Sequence, residues 1–130
     1  MKQLRAAAKI AMHQAYAPYS EYQVGAALRT RSGKVYSGGN VENAAYPLGN
    51  CAEASAIAAM VLAGEREIAE IFIMSKGKKP GTVCGGCRQR LAEFAGPDIR
   101  IDCGLESGET NTYTLGELLP HAFDLKETKV

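Results

Sequence analysis

Residues 50–74 read NCAEASAIAAMVLAGEREIAEIFIM, and this stretch sets the framework of the fold. Asn50 is a favourable N-cap, residues 51–63 have the composition of an apolar helix, and Gly64 is a typical helix terminator. Residues 68–74 follow as a short, almost wholly apolar strand, the kind that lies in the middle of a sheet covered on both faces. The stretch therefore predicts a helix–strand unit packed against a larger sheet.

The segments on either side supply further helices and strands. The predicted elements are a helix at 2–15, strands at 22–31 and 34–37, a helix at 88–94, strands at 100–103 and 111–114, and a helical turn at 115–119. Ser32-Gly33 is typical of a hairpin turn, and Gly38-Gly39-Asn40 is expected to end the second strand of that hairpin. A hairpin followed by strand–helix–strand connections predicts an α/β fold, a mixed sheet with helices on both faces.

Length, composition and charge limit the classes of function. The chain has 130 residues, enough for one hydrophobic core, so residues 1–130 are expected to form a single domain. Apolar residues make up 46% and charged residues 22%, as in soluble globular proteins. A net charge of +1 argues against a nucleic-acid partner and against an anionic membrane surface. No stretch resembles a membrane span or a signal peptide, so the expected location is a reducing cytoplasm.

Three of the four cysteines are candidates for one metal site. Cys84 and Cys87 form a Cys-x-x-Cys pair at a helix start, and Cys51 stands at the start of another helix. Three protein ligands would leave one coordination position of a zinc ion open for water, as in catalytic zinc sites. Glu53 follows in an otherwise apolar helix, where a carboxylate has no packing role. Near the metal it is suited to take a proton from the activated water and to pass it to a substrate nitrogen.

The spacing of the cysteines leaves other interpretations open. A structural zinc site or thiol chemistry would use the same Cys-x-x-Cys pair. A structural site would need a fourth ligand, for which Cys103, His13 and His121 are candidates, although Cys103 is more simply a buried thiol. Three thiolates also exceed the charge of one zinc ion, so backbone N–H groups or a nearby cation must offset the excess. Arg88, which follows Cys87, is the candidate cation in the sequence.

Several separate stretches resemble the small homotetrameric zinc-dependent cytidine deaminases. In the order of that family they are APYS at 17–20, VGAAL at 24–28, GNVENA at 39–44, CAE at 51–53, CGGCRQ at 84–89 and LLP at 118–120. The CAE and CGGC stretches match the three-cysteine version of the zinc deaminase signature. The resemblance implies a three-layer α/β/α sandwich with a mixed five-stranded sheet. It also implies one Zn²⁺ per chain and a homotetramer whose sites are completed across subunits.

The resemblance further implies an activity and a set of site residues. The activity is hydrolytic deamination of cytidine, deoxycytidine or both by zinc-activated hydroxide, yielding uridine or deoxyuridine and ammonia. The implied roles fall on zinc ligands Cys51, Cys84 and Cys87, the proton shuttle Glu53, the ribose-binding pair Asn40 and Glu42, and the nucleoside contacts Tyr22, Ala52 and Phe123. Of these, Phe123 matches an aromatic residue that reaches into a neighbouring subunit's site, and Ala52 would contact the base through its backbone.

Two positions depart from the family's pattern. Val83 stands where the family usually has a proline before the Cys-x-x-Cys pair. Ala54 stands where the family often has an arginine that tempers the thiolate charge, directly after the glutamate. Its absence would leave the zinc site more negative unless Arg88 compensates, or would leave the pocket more open near the leaving group. We therefore expect better tolerance of N4-substituted cytidines than is typical of the family.

Overall fold

A computed structural model describes residues 2–125 of the chain. The helices and strands of these residues are α1 Lys2–Gln14, β1 Val24–Thr30, β2 Val35–Gly39, α2 Ala52–Leu62, β3 Ile68–Ser75, α3 Gly85–Phe94, β4 Arg100–Gly104, β5 Thr110–Thr114 and α4 Leu115–Leu118. The predicted order of elements is confirmed. The single domain predicted for residues 1–130 extends past the described residues at both ends and stays a prediction. No helix within residues 2–125 is long and apolar enough to cross a membrane.

The five strands form one mixed sheet in the order β2-β1-β3-β4-β5. β3 and β4 are parallel, and every other neighbouring pair is antiparallel. The apolar strand β3 therefore lies at the centre of the sheet, as its composition predicted. The carboxyl ends of β3 and β4 point to the same edge, which is where α/β sheets commonly bind ligands.

Helices cover both faces of the sheet. Successive strand residues point to opposite faces, so apolar side chains on each face are buried under a helix. On β1, Ala27 packs with Leu4 and Met12 of α1, whereas its neighbours Ala26 and Leu28 belong to the core shared with α2 and α3. The three-layer α/β/α sandwich with a mixed five-stranded sheet is thus confirmed. Helix α1 covers one face, and α2 and α3 lie side by side on the other.

Helix α2 begins one residue later than predicted. Asn50 is not its N-cap, because its backbone N–H and C=O both pair with Val41 in a short antiparallel bridge. Cys51 takes the N-cap position instead, with an extended backbone (φ −73°, ψ 155°). This difference puts the Cys51 sulfur at the end of the helix, where unpaired backbone N–H groups favour negative charge.

The glycines near the hairpin allow close packing of helices on the sheet. β2 ends at Gly39, within the stretch Gly38-Gly39-Asn40 as predicted, although both glycines still belong to the strand. A Cβ atom on Gly38 would lie 2.6 Å from the Ala56 nitrogen of α2, and one on Gly39 would lie 2.8 Å from the Ala11 oxygen of α1. These residues lack side chains because the backbones of both helices pass directly over them.

The closest approach of a helix to the sheet is that of α1 to Gly25 on β1. The substitution Gly25→Ala is therefore expected to destabilise the fold by about 3 kcal/mol or more. Its Cβ would overlap the backbone of α1 at Ala8 and Met12, and backbone atoms cannot rotate away as a side chain would. Urea denaturation measures the loss. Gly96→Ala is the matched control, since nothing lies within 4 Å of that position. Equal stability of the two variants would contradict the close approach of α1.

Candidate active site

The starts of helices α2 and α3 bring three sulfur atoms together. Cys51 is the N-cap of α2, Cys84 is the N-cap of α3, and Cys87 lies in the first turn of α3. The three Sγ atoms all lie within 4.8 Å of one another, and the Sγ atoms of Cys51 and Cys84 are 3.8 Å apart. Ligands about 2.3 Å from a tetrahedral zinc ion lie about 3.8 Å from one another, so the donor set fits zinc.

The candidate fourth ligands of a structural site lie elsewhere. Within residues 2–125, the group placed to hold a metal ion consists of the three cysteines alone. His13 pairs with Glu106, 3.2 Å away. Cys103 is buried in the core on β4, and burial raises the pKa of its thiol to about 11. Among the described residues the cluster therefore offers three ligands, the number that catalytic zinc sites use.

The three thiols differ in their acidity. Burial raises the pKa of Cys51, and the neighbouring Cys84 adds to the effect. Burial raises the pKa of Cys87 most, with the charges of Glu53 and Cys51 acting in the same direction. For Cys84 burial is outweighed by hydrogen bonds from the Cys87 backbone N–H and from the other two thiols, and the pKa is lowered. Metal binding at this site therefore has to displace protons, at Cys87 above all.

Glu53 is a buried carboxyl group beside the sulfur cluster. It lies in the first turn of α2 and is 5% exposed. Burial raises its pKa, while its own backbone N–H and the charge of Arg90 act in the opposite direction. A carboxyl group with a raised pKa is suited both to accept and to donate a proton near neutral pH.

A cleft of about 400 Å³ opens beside the sulfur cluster, and its size is within the usual range of small-molecule sites. It lies at the carboxyl end of β3, next to the starts of α2 and α3. The predicted residues that line it are Cys51, Glu53 and Cys84 together with Asn40, Glu42, Tyr22 and Ala52. The tertiary structure thus brings seven of the nine predicted site residues to one cleft. Cys87 lies behind it in the core, and Phe123 is not among the lining residues.

Asn40 and Glu42 are held in fixed orientations. The Asn40 side chain accepts a hydrogen bond from the Val24 backbone N–H at 2.8 Å and donates one to the Tyr22 carbonyl oxygen at 3.0 Å. Glu42 accepts hydrogen bonds from the Ser20 hydroxyl and from the backbone N–H groups of Tyr19 and Ser20. Both groups retain unused hydrogen-bonding capacity toward the cleft. The hydrogen bond from Ser20 also lowers the pKa of Glu42, so this carboxylate stays ionised to lower pH than usual.

The aromatic candidates occupy two different surroundings. Tyr22 lies in the cleft with its ring against Gly77 and Gly81, and a Cβ atom on Gly81 would lie 2.5 Å from the Tyr22 hydroxyl oxygen. Phe123 is 62% exposed, and its backbone exchanges two hydrogen bonds with the side chain of Gln89 on α3. Hydrogen bonds thus hold the Phe123 backbone to α3, while the Phe123 side chain is exposed.

The hydrogen bonds of Arg88 go to the backbone and not to the sulfur cluster. Its guanidinium donates to the carbonyl oxygens of Val83 at 2.8 Å and Leu118 at 2.9 Å, so it joins the loop before α3 to helix α4. The cation at the sulfur cluster is Arg90, whose Nη1 donates to Cys87 Sγ at 3.2 Å. Arg90 was not predicted at the site, because the helix predicted at residues 88–94 begins after Cys87. A start at Gly85 would have placed residues 87 and 90 on one face.

Comparison with known proteins gives consistent matches. A family model described as the cytidine and deoxycytidylate deaminase zinc-binding region matches residues 1–102. The cytidine deaminase of Halalkalibacterium halodurans is 42% identical over 113 residues, which covers 87% of this chain and 86% of that protein. The cytidine deaminase of Sporosarcina psychrophila is 37% identical, with coverages of 98% and 93%. The crystal structure of cytidine deaminase from Burkholderia pseudomallei has a TM-score of 0.89 at 43% identity, covering 94% of this chain and 98% of that one.

Proposed function

The chain belongs to the zinc-binding cytidine and deoxycytidylate deaminase family, and we propose that it hydrolyses the 4-amino group of free cytidine, deoxycytidine or both. The products are uridine or deoxyuridine and ammonia. One observation carries the proposal most directly. The buried carboxyl group of Glu53 lines the same cleft as Cys51 and Cys84, with the polar pair Asn40 and Glu42 on the same wall.

The three cysteines would hold one zinc ion per chain, which supplies Lewis-acid activation of a water molecule when it is bound. Glu53 takes a proton from the attacking water and delivers it to N3 of the pyrimidine, which makes C4 more electrophilic. The same carboxyl group then takes the second proton of that water, from the oxygen now bonded to C4, and carries it to the 4-amino nitrogen. The C4–N bond breaks, ammonia leaves and the C4 carbonyl forms. Its burial in the first turn of α2 keeps its short side chain in reach of these atoms. Ala52, the first residue of that helix, presents its backbone to the base.

Asn40 and Glu42 bind the ribose 3′-hydroxyl in this proposal. Both are fixed by protein hydrogen bonds before a ligand arrives, so binding costs little side-chain entropy. Tyr22 lies beside the nucleoside, as a flat wall of the same cleft. A site that grips the sugar in this way discriminates a nucleoside from the free base.

Glu42→Gln is expected to lower kcat/KM for cytidine by about 10- to 100-fold, because a hydrogen bond to a charged group contributes about 1.5–3 kcal/mol. The loss is expected mainly in KM, since Glu42 contacts the sugar and not the reacting atoms. Steady-state kinetics with 3′-deoxycytidine provide the control, because that substrate lacks the hydroxyl group. If the substitution lowers kcat/KM equally for both nucleosides, Glu42 does not bind the 3′-hydroxyl.

The test of the activity is an ultraviolet assay on protein of known zinc content. We expect loss of the cytidine or deoxycytidine absorption band with about one zinc ion per chain, and no turnover of free cytosine. Zinc-loaded protein that converts neither nucleoside would contradict the proposal and would favour a non-catalytic zinc module.

Acceptance of N4-substituted cytidines is a narrower prediction that the same assay tests. Ala54 lines a separate cavity with Arg90, so its small side chain adds no space to the cleft. Thr82 and Cys84 of the cleft are exposed in the single chain, so the prediction requires that a neighbouring subunit leave them uncovered. A rate on N4-methylcytidine relative to cytidine no higher than that of the Halalkalibacterium halodurans protein would contradict it.

The assembly in this proposal is a homotetramer in a reducing cytoplasm. What supports the assembly is the exposure of Phe123, whose backbone is fixed to Gln89 and whose ring would reach a neighbouring subunit's site. The four cysteines of the described residues form no disulfide, which suits a reducing compartment. Light scattering after size-exclusion chromatography, with activity measured across the peak, tests whether activity requires the assembly.

A further inference from the structure

The hydrogen bond between Arg90 and Cys87 joins the sulfur cluster to a cation. Cys87 is completely buried, and its Sγ accepts from Arg90 Nη1 at 3.2 Å. The positive charge of Arg90 acts on Cys51 and Cys84 as well, and on Glu53. One guanidinium therefore contacts one thiol of the cluster and acts electrostatically on the other two and on Glu53.

The charge balance of a three-cysteine site favours a cation beside it. Three thiolates and one Zn²⁺ leave a net charge of −1, and an ionised Glu53 makes it −2. Uncompensated charge is costly on a buried ligand such as Cys87, and partners beyond the direct ligands hold the ligands in place and adjust their electron density. Through its contact with Cys87, Arg90 provides both a compensating positive charge and a hydrogen bond that holds this ligand.

Position 54 explains why this cation comes from helix α3. Ala54 follows Cys51 by three residues on α2, just as Arg90 follows Cys87 by three residues on α3. The two side chains line the same cavity between the helices, outside the cleft. An arginine at position 54, as in many members of the family, would approach the sulfur cluster from this cavity. In this chain the small side chain of Ala54 leaves space on the α2 side of the cavity, and Arg90 lines the cavity from α3.

We propose that Arg90 is a positioning residue for the zinc site, which orients the Cys87 thiolate and balances the charge of the cluster in place of an arginine at position 54. The inference rests on the proposed zinc site. Arg88 cannot take this part, because its guanidinium is engaged by the carbonyl oxygens of Val83 and Leu118. Arg90 does not line the cleft, so it acts through the sulfur and not on the substrate.

Arg90→Met keeps most of the length of the side chain and removes the charge and the hydrogen bond. Its zinc affinity, measured by chelator competition, is expected to fall about 10- to 100-fold. We expect kcat to fall over a similar range, with KM for cytidine changed less than twofold. In the cobalt(II)-substituted protein, the sulfur-to-cobalt charge-transfer band should move to longer wavelength, because a thiolate without its hydrogen bond gives up an electron more easily.

Arg31→Met is the matched control, since Arg31 pairs only with the exposed Glu67 among the described ion pairs. It should leave zinc affinity and the cobalt band unchanged. The proposal would be overturned if Arg90→Met kept the zinc affinity of the wild type. It would also be overturned if the zinc affinity fell while the cobalt charge-transfer band stayed at its wavelength, because that result would indicate a general loosening of the helix. A wild-type protein that binds no zinc would instead contradict the proposed function.

The double variant Ala54→Arg, Arg90→Met tests the equivalence of the two positions. We expect the double variant to recover at least half, on a logarithmic scale, of the zinc affinity that Arg90→Met loses. The reason is that the new guanidinium enters the same cavity from α2. An affinity no better than that of Arg90→Met alone would overturn the equivalence. Circular dichroism of each variant confirms that the comparison is made between folded proteins.

Discussion

Glu53→Gln is expected to lower kcat for cytidine by about 10²- to 10⁴-fold, the usual contribution of a positioned acid–base group. Glutamine has nearly the same shape but neither accepts the proton of the attacking water nor delivers one to N3. KM should change little, because Glu53 acts on the reacting atoms while Asn40 and Glu42 bind the sugar. Steady-state kinetics on protein of measured zinc content give both parameters.

The zinc content and the stability of Glu53→Gln separate a catalytic role from a structural one. Glu53 is not one of the ligands, so about one zinc ion per chain should remain. Since the substitution replaces a buried ionisable group with a neutral one, Tm should be equal to or above that of the wild type. Substantial turnover by the zinc-loaded variant would contradict the proton-carrying role of Glu53.

Cys87→Ala is expected to abolish zinc binding and, with it, detectable deamination. Cys87 is the most deeply buried of the three ligands, and its loss leaves two sulfur atoms, too few to hold zinc against a chelator. Because metal binding contributes to the stability of the fold that forms the site, Tm should also fall. Zinc analysis after dialysis against a chelator, together with the nucleoside assay, measures both effects.

Cys103→Ala is the matched control for this experiment. Cys103 is also buried and also lies in the core around α2 and α3, but its sulfur is not part of the ligand cluster. The variant should keep its zinc and its activity and lose only about 1 kcal/mol of stability, a typical cost for a core substitution. If Cys103→Ala loses zinc and Cys87→Ala keeps it, the assignment of the ligands is wrong.

The two departures from the family's pattern have different outcomes in the structure. Val83 is buried in the core beside α3, so this side chain packs the loop that proline would otherwise stiffen. Ala54 leaves position 54 of α2 without a positive charge, and in our proposal Arg90 of α3 supplies that charge. The sequence indicated the missing charge at position 54 and suggested Arg88 as its replacement, whereas the arginine that contacts the sulfur cluster is Arg90.

The sequence by itself determined the elements and the chemistry of the ligands. Helix and strand order follow from local patterns of apolar residues, which act over a few neighbours and are visible in one dimension. The Cys-x-x-Cys spacing places Cys84 and Cys87 within one helical turn, and Glu53 stands out because a carboxylate is expensive in an apolar helix. These inferences needed no knowledge of how the helices pack.

Only the tertiary structure decided which of these groups meet. Cys51 and Cys84 are 33 residues apart, and their sulfur atoms approach because the starts of α2 and α3 lie side by side on one face of the sheet. The same packing explains Gly25, whose role is the close approach of α1 and not a turn. It also separates Arg88 from Arg90, which are two residues apart but point in different directions around the helix. The direction of a side chain and the meeting of distant segments depend on packing, which local spacing does not encode.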